Sequence, residues 1–376
     1  MSVKRLQADG AVCKPALQKT RPHDAVYQYL ADASPKDAKF DRLKVASRRT
    51  AAAYIAAEDL KPRGQRVHSC DDWMQFVWRA RAHGESVLKL KAARFCQDRF
   101  CEICQMLRTR MWTKQFRQAA PTLMKQYPGA RWLMLTLTIR NPDIYQTRAA
   151  LGEMNKAWKR LTRRAEFRDV LGWIRATEVT RGGNGASKKD AQPSIVDNTS
   201  HPHFHILLMV SSRYFEGPRY ISQAKWLKAW QECMRDDEIT QVNIKAIKPR
   251  PGYVEKEGGD RLGWLMAGAL EVLKYTGKTT DLLPAKEPKH NSGVGPVMDS
   301  VPWFQELARQ VARLRFTMTG GALKDVFKNV EDATDDELIH AIDEEANSTE
   351  EDAKPLTFGF STREGKFRRK RKGGVQ

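Results

Sequence analysis

No stretch of this chain is apolar for long enough to cross a bilayer, which takes about 20 consecutive apolar residues in a helix. The opening MSVKRLQADG also lacks the apolar core of a secretory signal. Both absences argue against a membrane or exported protein and predict a cytoplasmic one. Cysteine is scarce, 6 in 376 residues. In a reducing compartment such cysteines are thiols, so clustered ones point to metal rather than disulfides. Acidic residues are outnumbered, 45 against 65 Lys and Arg, leaving a formal charge of +20. Some surface is therefore strongly positive, and nucleic acid is the commonest polyanionic partner; the bland alternative is a well-solvated basic surface. With 41% hydrophobic residues the chain is globular, long enough for one large or two modest domains.

Residues 1–66 are rich in Lys, Arg, Ala and Asp, with an Ala-rich helical piece near 44–60, and read as a basic, partly disordered arm. Residues 67–125 hold Cys70, Cys96, Cys101 and Cys104 and then a basic helix. The two-residue gap between Cys101 and Cys104 lets a tight turn aim two thiolates at one ion, and Cys96 and Cys70 can complete a four-sulfur zinc site. The other reading is four small thiols packed as apolar residues. From 331 to 352 acids abound without Lys or Arg, and the chain then runs into KFRRKRKGG, so 331–376 reads as a disordered acidic segment and basic tail. Arg369, Lys370 and Arg371 there suit phosphate contacts without base specificity.

The chemistry lies between, in 126–330. HPHFHILLMV at 201–210 has the pattern of a buried strand. Alternation sends His203 and His205 to one face and Phe204 into the core. Two imidazoles side by side can hold a divalent ion, and His201 has the same parity; the alternative is structural histidines. WLMLTLTIRN at 132–141 alternates Leu135 and Leu137 with Thr136 and Thr138. Gln146 onwards spaces Leu151, Met154, Trp158 and Leu161 as a core-facing helical stripe. GWIRATEVTR at 172–181 is a strand whose loop returns as a hairpin into the histidine strand, which makes Glu178 a candidate third ligand or else one half of a surface ion pair. VNIKAIKP at 242–249 supplies a fourth strand. RLGWLMAGALEVLKYTGK at 261–278 is a helix on which Glu271, Tyr275 and Lys278 share a face. A phenol becomes an effective nucleophile when a metal polarises the group under attack and a nearby cation steadies the developing charge; otherwise this is an ordinary amphipathic helix. Residues 301–330 read as helix, Gly-Gly break, helix.

In that order, LMLTLTIRN, HPHFHILL and EVLKYTGK resemble the three motifs of the replication initiator (Rep) proteins of rolling-circle plasmids, in the single-tyrosine branch of the HUH endonuclease superfamily. RVHSC through FCQDRFCEICQMLRTR resembles the cysteine region such initiators carry before their first motif, although Glu102 stands where proline is common. The resemblance covers about 66–325. It implies an α+β fold with a central, mainly antiparallel sheet, helices packed on one face, and a small cysteine-containing N-terminal module. It makes His203 and His205 ligands for Mg²⁺ or Mn²⁺. Tyr275 becomes the nucleophile that nicks one strand of the plasmid's double-strand origin, leaving a 5′-phosphotyrosyl link and a free 3′-hydroxyl. Lys278 becomes its partner lysine and Glu271 the base for water at termination. The implied setting is the bacterial cytoplasm, with a host helicase and DNA polymerase as partners. Relaxases place their tyrosine before the histidines, and single-tyrosine transposases are smaller and lack the cysteine block. A non-catalytic, zinc-containing DNA-binding regulator is the reading from another class.

Overall fold

The computed structural model describes residues 27–80, 86–184, 195–248, 279–284, 289–290, 298–324, 349–350 and 354–370, with isolated positions between 262 and 272 and at 326, 338 and 339. The chain begins with helices α1 (Leu30–Ala33), α2 (Lys39–Ile55) and α3 (Lys61–His68), then the hairpin β1 (Trp73–Ala80) and β2 (Ser86–Ala93) and the long α4 (Glu102–Gln126). Next come β3 (Arg131–Thr138), α5 (Thr147–Leu161), β4 (Val170–Asn184), β5 (Ile195–Val210), α6 (Gln223–Met234) and β6 (Val242–Ala246). The short α7 (Thr279–Leu282) and β7 (Lys289–His290) lead to α8 (Ser300–Gln310) and β8 (Thr317–Gly321). The fragment β9 (Thr349–Glu350) precedes a last hairpin, β10 (Leu356–Ser361) and β11 (Lys366–Arg369).

Two sheets result, β6-β3-β5-β4-β8 with β7 against β5, and β11-β10-β1-β2 with β9 against β1. Among the described strands, only the β5–β7 pairing is parallel. This is the α+β, mainly antiparallel fold that the sequence implies. In the larger sheet β5 is central, and Phe204 and Ile206 through Val210 are fully buried. One face is roofed by α5 and α6, whose stripes of Leu151, Met154, Trp158, Trp226 and Trp230 face inward. Trp158 meets Trp173 of β4 edge-on at 5.0 Å, and Phe204 packs on Trp230 at 6.3 Å. Among the described residues, the second face is covered towards one end, where Phe116 of α4 stacks edge-on against Trp132 at 5.9 Å. At the other end the described residues leave a polar groove beside His201.

Three stretches depart from the expected organisation. In the 1–66 arm, α2 and α3 are ordered helices that bury Phe40, Ala51, Tyr54 and Val67. Small residues allow the close approach, since a Cβ on Gly64 would fall 2.9 Å from the Ala51 carbonyl oxygen. In the 331–376 tail, residues 356–369 form a hairpin paired with β1, with Phe358 and Phe367 fully buried. Arg369 and Lys370 therefore stand on structured backbone, and Arg371 lies outside the described residues. After α8, residues 317–321 form an edge strand on β4, and the helix expected after the Gly-Gly break falls mostly outside the described residues. Gly320 has to lack a side chain there, because a Cβ would overlap the Trp173 indole.

Candidate metal centres

The β4–β5 pairing sets Glu178 opposite His203 and Ala176 opposite His205. On the other side of β5, β3 sets Thr138 opposite His203 and Thr136 opposite His205. Directly paired residues point to the same face, so hairpin register alone gathers two imidazoles, a carboxylate and two hydroxyls. Glu178 Oε2 lies 3.2 Å from His203 Nε2 and 3.1 Å from His205 Nε2. Neighbouring ligands of an octahedral ion with bonds of about 2.1 Å stand about 3 Å apart, so the carboxylate oxygen is spaced from each imidazole as a divalent ion requires, and all three ligand atoms lie within 4.8 Å of one another.

The remaining ring nitrogens are engaged. His203 Nδ1 lies 3.1 Å from the His201 carbonyl oxygen, which can only accept, so Nδ1 donates there and Nε2 is the nitrogen turned towards Glu178. His205 Nδ1 lies 3.2 Å from Thr136 Oγ1. Partners of this kind orient metal-binding imidazoles. Burial pushes the Glu178 carboxyl up, but the hydrogen bonds and charge of the two histidines outweigh it and hold the group well below the usual carboxylate range. His201 stands apart: its Nδ1 is 2.7 Å from Asn141 Oδ1, and burial, with the neighbouring His203, lowers its pKa. A polar groove of about 600 Å³ opens beside it, lined by Arg140, Asn141, Thr180, Arg181 and Gly182.

The second centre is made of sulfur. Cys70 follows α3, Cys96 follows β2, and Cys101 and Cys104 sit at the start of α4. Their sulfurs lie 3.7 Å apart for Cys70–Cys104, 3.7 Å for Cys96–Cys104 and 3.6 Å for Cys70–Cys101. A tetrahedron with Zn–S bonds of 2.3 Å has edges of about 3.8 Å. All four sulfurs lie within 4.8 Å of one another, so the set fits zinc. Backbone N–H groups of Cys96 and Asp98 donate to the sulfurs of Cys70 and Cys96, both at 3.4 Å. Burial opposes ionisation of the Cys101 thiol, yet its hydrogen bonds with the other three thiols and with Ser47 hold it well below the usual range. Its place at the helix N-terminus acts in the same sense.

Glu271, Tyr275 and Lys278 lie outside the described residues. Within and just after this stretch, Val272 and Thr279 are buried, at 0% and 2% exposure. Thr279 Oγ1 donates to the Phe100 carbonyl at 3.2 Å and accepts from Gln105 Nε2 at 3.1 Å, which fixes this position against the cysteine region. Sequence reasoning missed the supports of the histidines, Thr136 and Asn141. The alternation of threonines with leucines in 132–141 was the available signal for the first, whereas the second needed the fold.

A family model described as replication protein matches residues 87–368. The Protein rep of Lactiplantibacillus plantarum is 29% identical over 299 residues, 78% of this chain and 83% of that protein. The Protein rep of Lentilactobacillus hilgardii is 28% identical over 302 residues, 80% and 85% of the two chains. The Protein rep of Streptococcus pneumoniae serotype 2 is 30% identical over 187 residues, 49% of this chain and about half, 53%, of that protein. No solved structure matches at a significant level. With most of its length matched by the family model, and with the histidine, tyrosine and cysteine blocks in the order of plasmid replication initiators, the chain belongs to the replication protein (Rep) family.

Proposed function

We propose that this chain nicks and rejoins one strand of a plasmid's double-strand origin to start rolling-circle replication. The observation that carries the reading is the convergence of Glu178, His203 and His205, with both imidazoles held at their second nitrogens. These three residues would hold Mg²⁺ or Mn²⁺. When bound, the ion supplies Lewis-acid polarisation of the scissile phosphate.

The rest falls to the chain's own groups. The Tyr275 hydroxyl gives up its proton and its oxygen forms a bond to phosphorus, as the bond from phosphorus to the 3′ oxygen breaks and that oxygen takes a proton. The number of phosphoester bonds is unchanged, so the reverse reaction reseals the strand without a nucleotide cofactor. Lys278 steadies the phenolate and the charge on phosphorus. Glu271, one helical turn before the tyrosine, takes the proton of a water that releases the enzyme. The four cysteines hold structural Zn²⁺. Origin DNA, a host helicase and a polymerase are the partners this role requires, and no described helix is long and apolar enough to cross a membrane.

Supercoiled plasmid carrying the cognate origin, incubated with the protein and Mn²⁺, should yield a nicked circle with protein bound to the 5′ end. Tyr275→Phe and His205→Ala should each abolish it. Full nicking by Tyr275→Phe would remove the tyrosine from this role.

A further inference from the structure

A second feature lies on the histidine face of the larger sheet, towards its covered end. Trp132 has the same strand parity as Thr136, and Met209 pairs with Trp132. With Met124 of α4, Tyr127 just after it and Phe215, they wall a groove of about 460 Å³, a volume typical of small-molecule sites. Four residues separate Trp132 from Thr136, the partner of His205, and at about 3.3 Å per residue the groove lies roughly 13 Å from the metal centre along the same face.

The wall at Phe215 is presented outward. Phe215 and Tyr220 are 43% and 47% exposed, two of the few large apolar side chains left in solvent. Their rings stack at 6.3 Å and 28°. Beneath them Tyr214 is buried, touching both rings edge-on, with its hydroxyl donating to the Ile221 carbonyl and accepting from Trp226 Nε1. Gly217, at φ +47°, makes the turn between the two rings. The rim carries Arg131 and Lys248. The Arg131 guanidinium is steadied by the carbonyls of Gly129 and Ala130 at 3.2 and 3.3 Å.

A rigid aromatic wall with cations at the rim matches an unpaired nucleobase and its phosphates, because any base can stack on a ring while Lys and Arg take the backbone. We infer that this groove receives a base of single-stranded DNA on the same strand that crosses the metal centre, an inference that rests on the nicking role above. At the 3.4 Å stacked spacing, 13 Å is about four nucleotides, and fewer if the strand is extended.

The test uses the full chain and single-stranded oligonucleotides of the nick region, in EDTA, with 2-aminopurine placed at one position at a time. One position within about four nucleotides of the cleaved bond should be quenched on binding. Phe215→Ala should abolish that quench and weaken binding by about 5- to 150-fold, the range of base–aromatic stacking. Lys248→Gln should weaken every oligonucleotide alike. Unchanged quenching and affinity in Phe215→Ala would overturn the inference, as would a Phe215→Ala protein that binds DNA normally but alters in self-association, which would make the groove a contact between protein chains. Since binding is read without metal, a wild-type protein that never nicks yet shows the Phe215-dependent quench would refute the nicking role and keep the groove. Normal nicking and affinity by Phe215→Ala would refute the groove alone.

Discussion

His205 owes its ring orientation to Thr136, a residue that touches no part of the proposed ion. The hydroxyl stands 3.2 Å from Nδ1, so Thr136→Val keeps the shape of the strand and removes the partner. Loss of such a support typically lowers metal affinity about 10- to 100-fold, and Mn²⁺ titration followed by calorimetry should read that loss with little change in melting temperature. His201→Ala is expected to leave Mn²⁺ affinity nearly intact, because its Nδ1 is engaged by Asn141 and it stands outside the ligand group. At Gly182 the constraint is steric: a Cβ would collide with the Thr199 hydroxyl across the hairpin. Gly182→Ala should therefore cost about 1–3 kcal/mol in denaturant unfolding, as overpacking does. The two histidines were legible because strand parity is a local property of the sequence. Glu178 was legible only as one option, since its pairing with His203 depends on where the hairpin turns.

Among the elements, the last hairpin was hidden from a reading of the sequence. KFRR announces charge, and the alternation of Leu356, Phe358 and Phe360 that marks a strand is short and lies beside an acidic stretch. Its partner is β1, with Phe358 beside Met74, about three-quarters of the chain away, and no local pattern reveals such a pairing. Phe358 is fully buried and meets Phe76 edge-on at 5.8 Å. Phe358→Ala should cost about 3–5 kcal/mol, seen as a lowered urea midpoint, whereas a disordered tail would show no change. The cysteine element behaves differently. CxxC spacing was visible, but Cys70 and Cys96 join the pair only through the turn after α3 and the end of β2. Cys104→Ser, or chelation of the purified protein, is expected to lower the melting temperature and release one equivalent of zinc per chain, measured with a chromogenic chelator. A protein purified without zinc and equally stable after the substitution would make these four residues packed thiols.

At the scale of the whole molecule, α8 packs against both the cysteine region and the histidine sheet, as α4 also does through Phe116 and Trp132. On one side Phe304 lies between Tyr54 and Phe100, both at 5.2 Å, and Gln305 donates to the Ala53 carbonyl at 2.7 Å. On the other side Trp303 donates through Nε1 to the Thr199 carbonyl of the histidine strand at 3.2 Å and lies under the Arg181 guanidinium at 5.5 Å. The cysteine region and the histidine sheet thus share a helix whose Trp303 and Phe304 are fully buried. Burial of this kind couples unfolding of the parts, so the wild-type chain should melt in one calorimetric transition. Truncating a large buried aromatic costs about 3–5 kcal/mol, and at Trp303 the loss falls on the junction. Trp303→Ala should split the melt into two transitions, the upper one still responding to added zinc and the lower one to Mn²⁺. A single transition shifted downward as a whole would mean that the two sheets are held together by contacts other than α8.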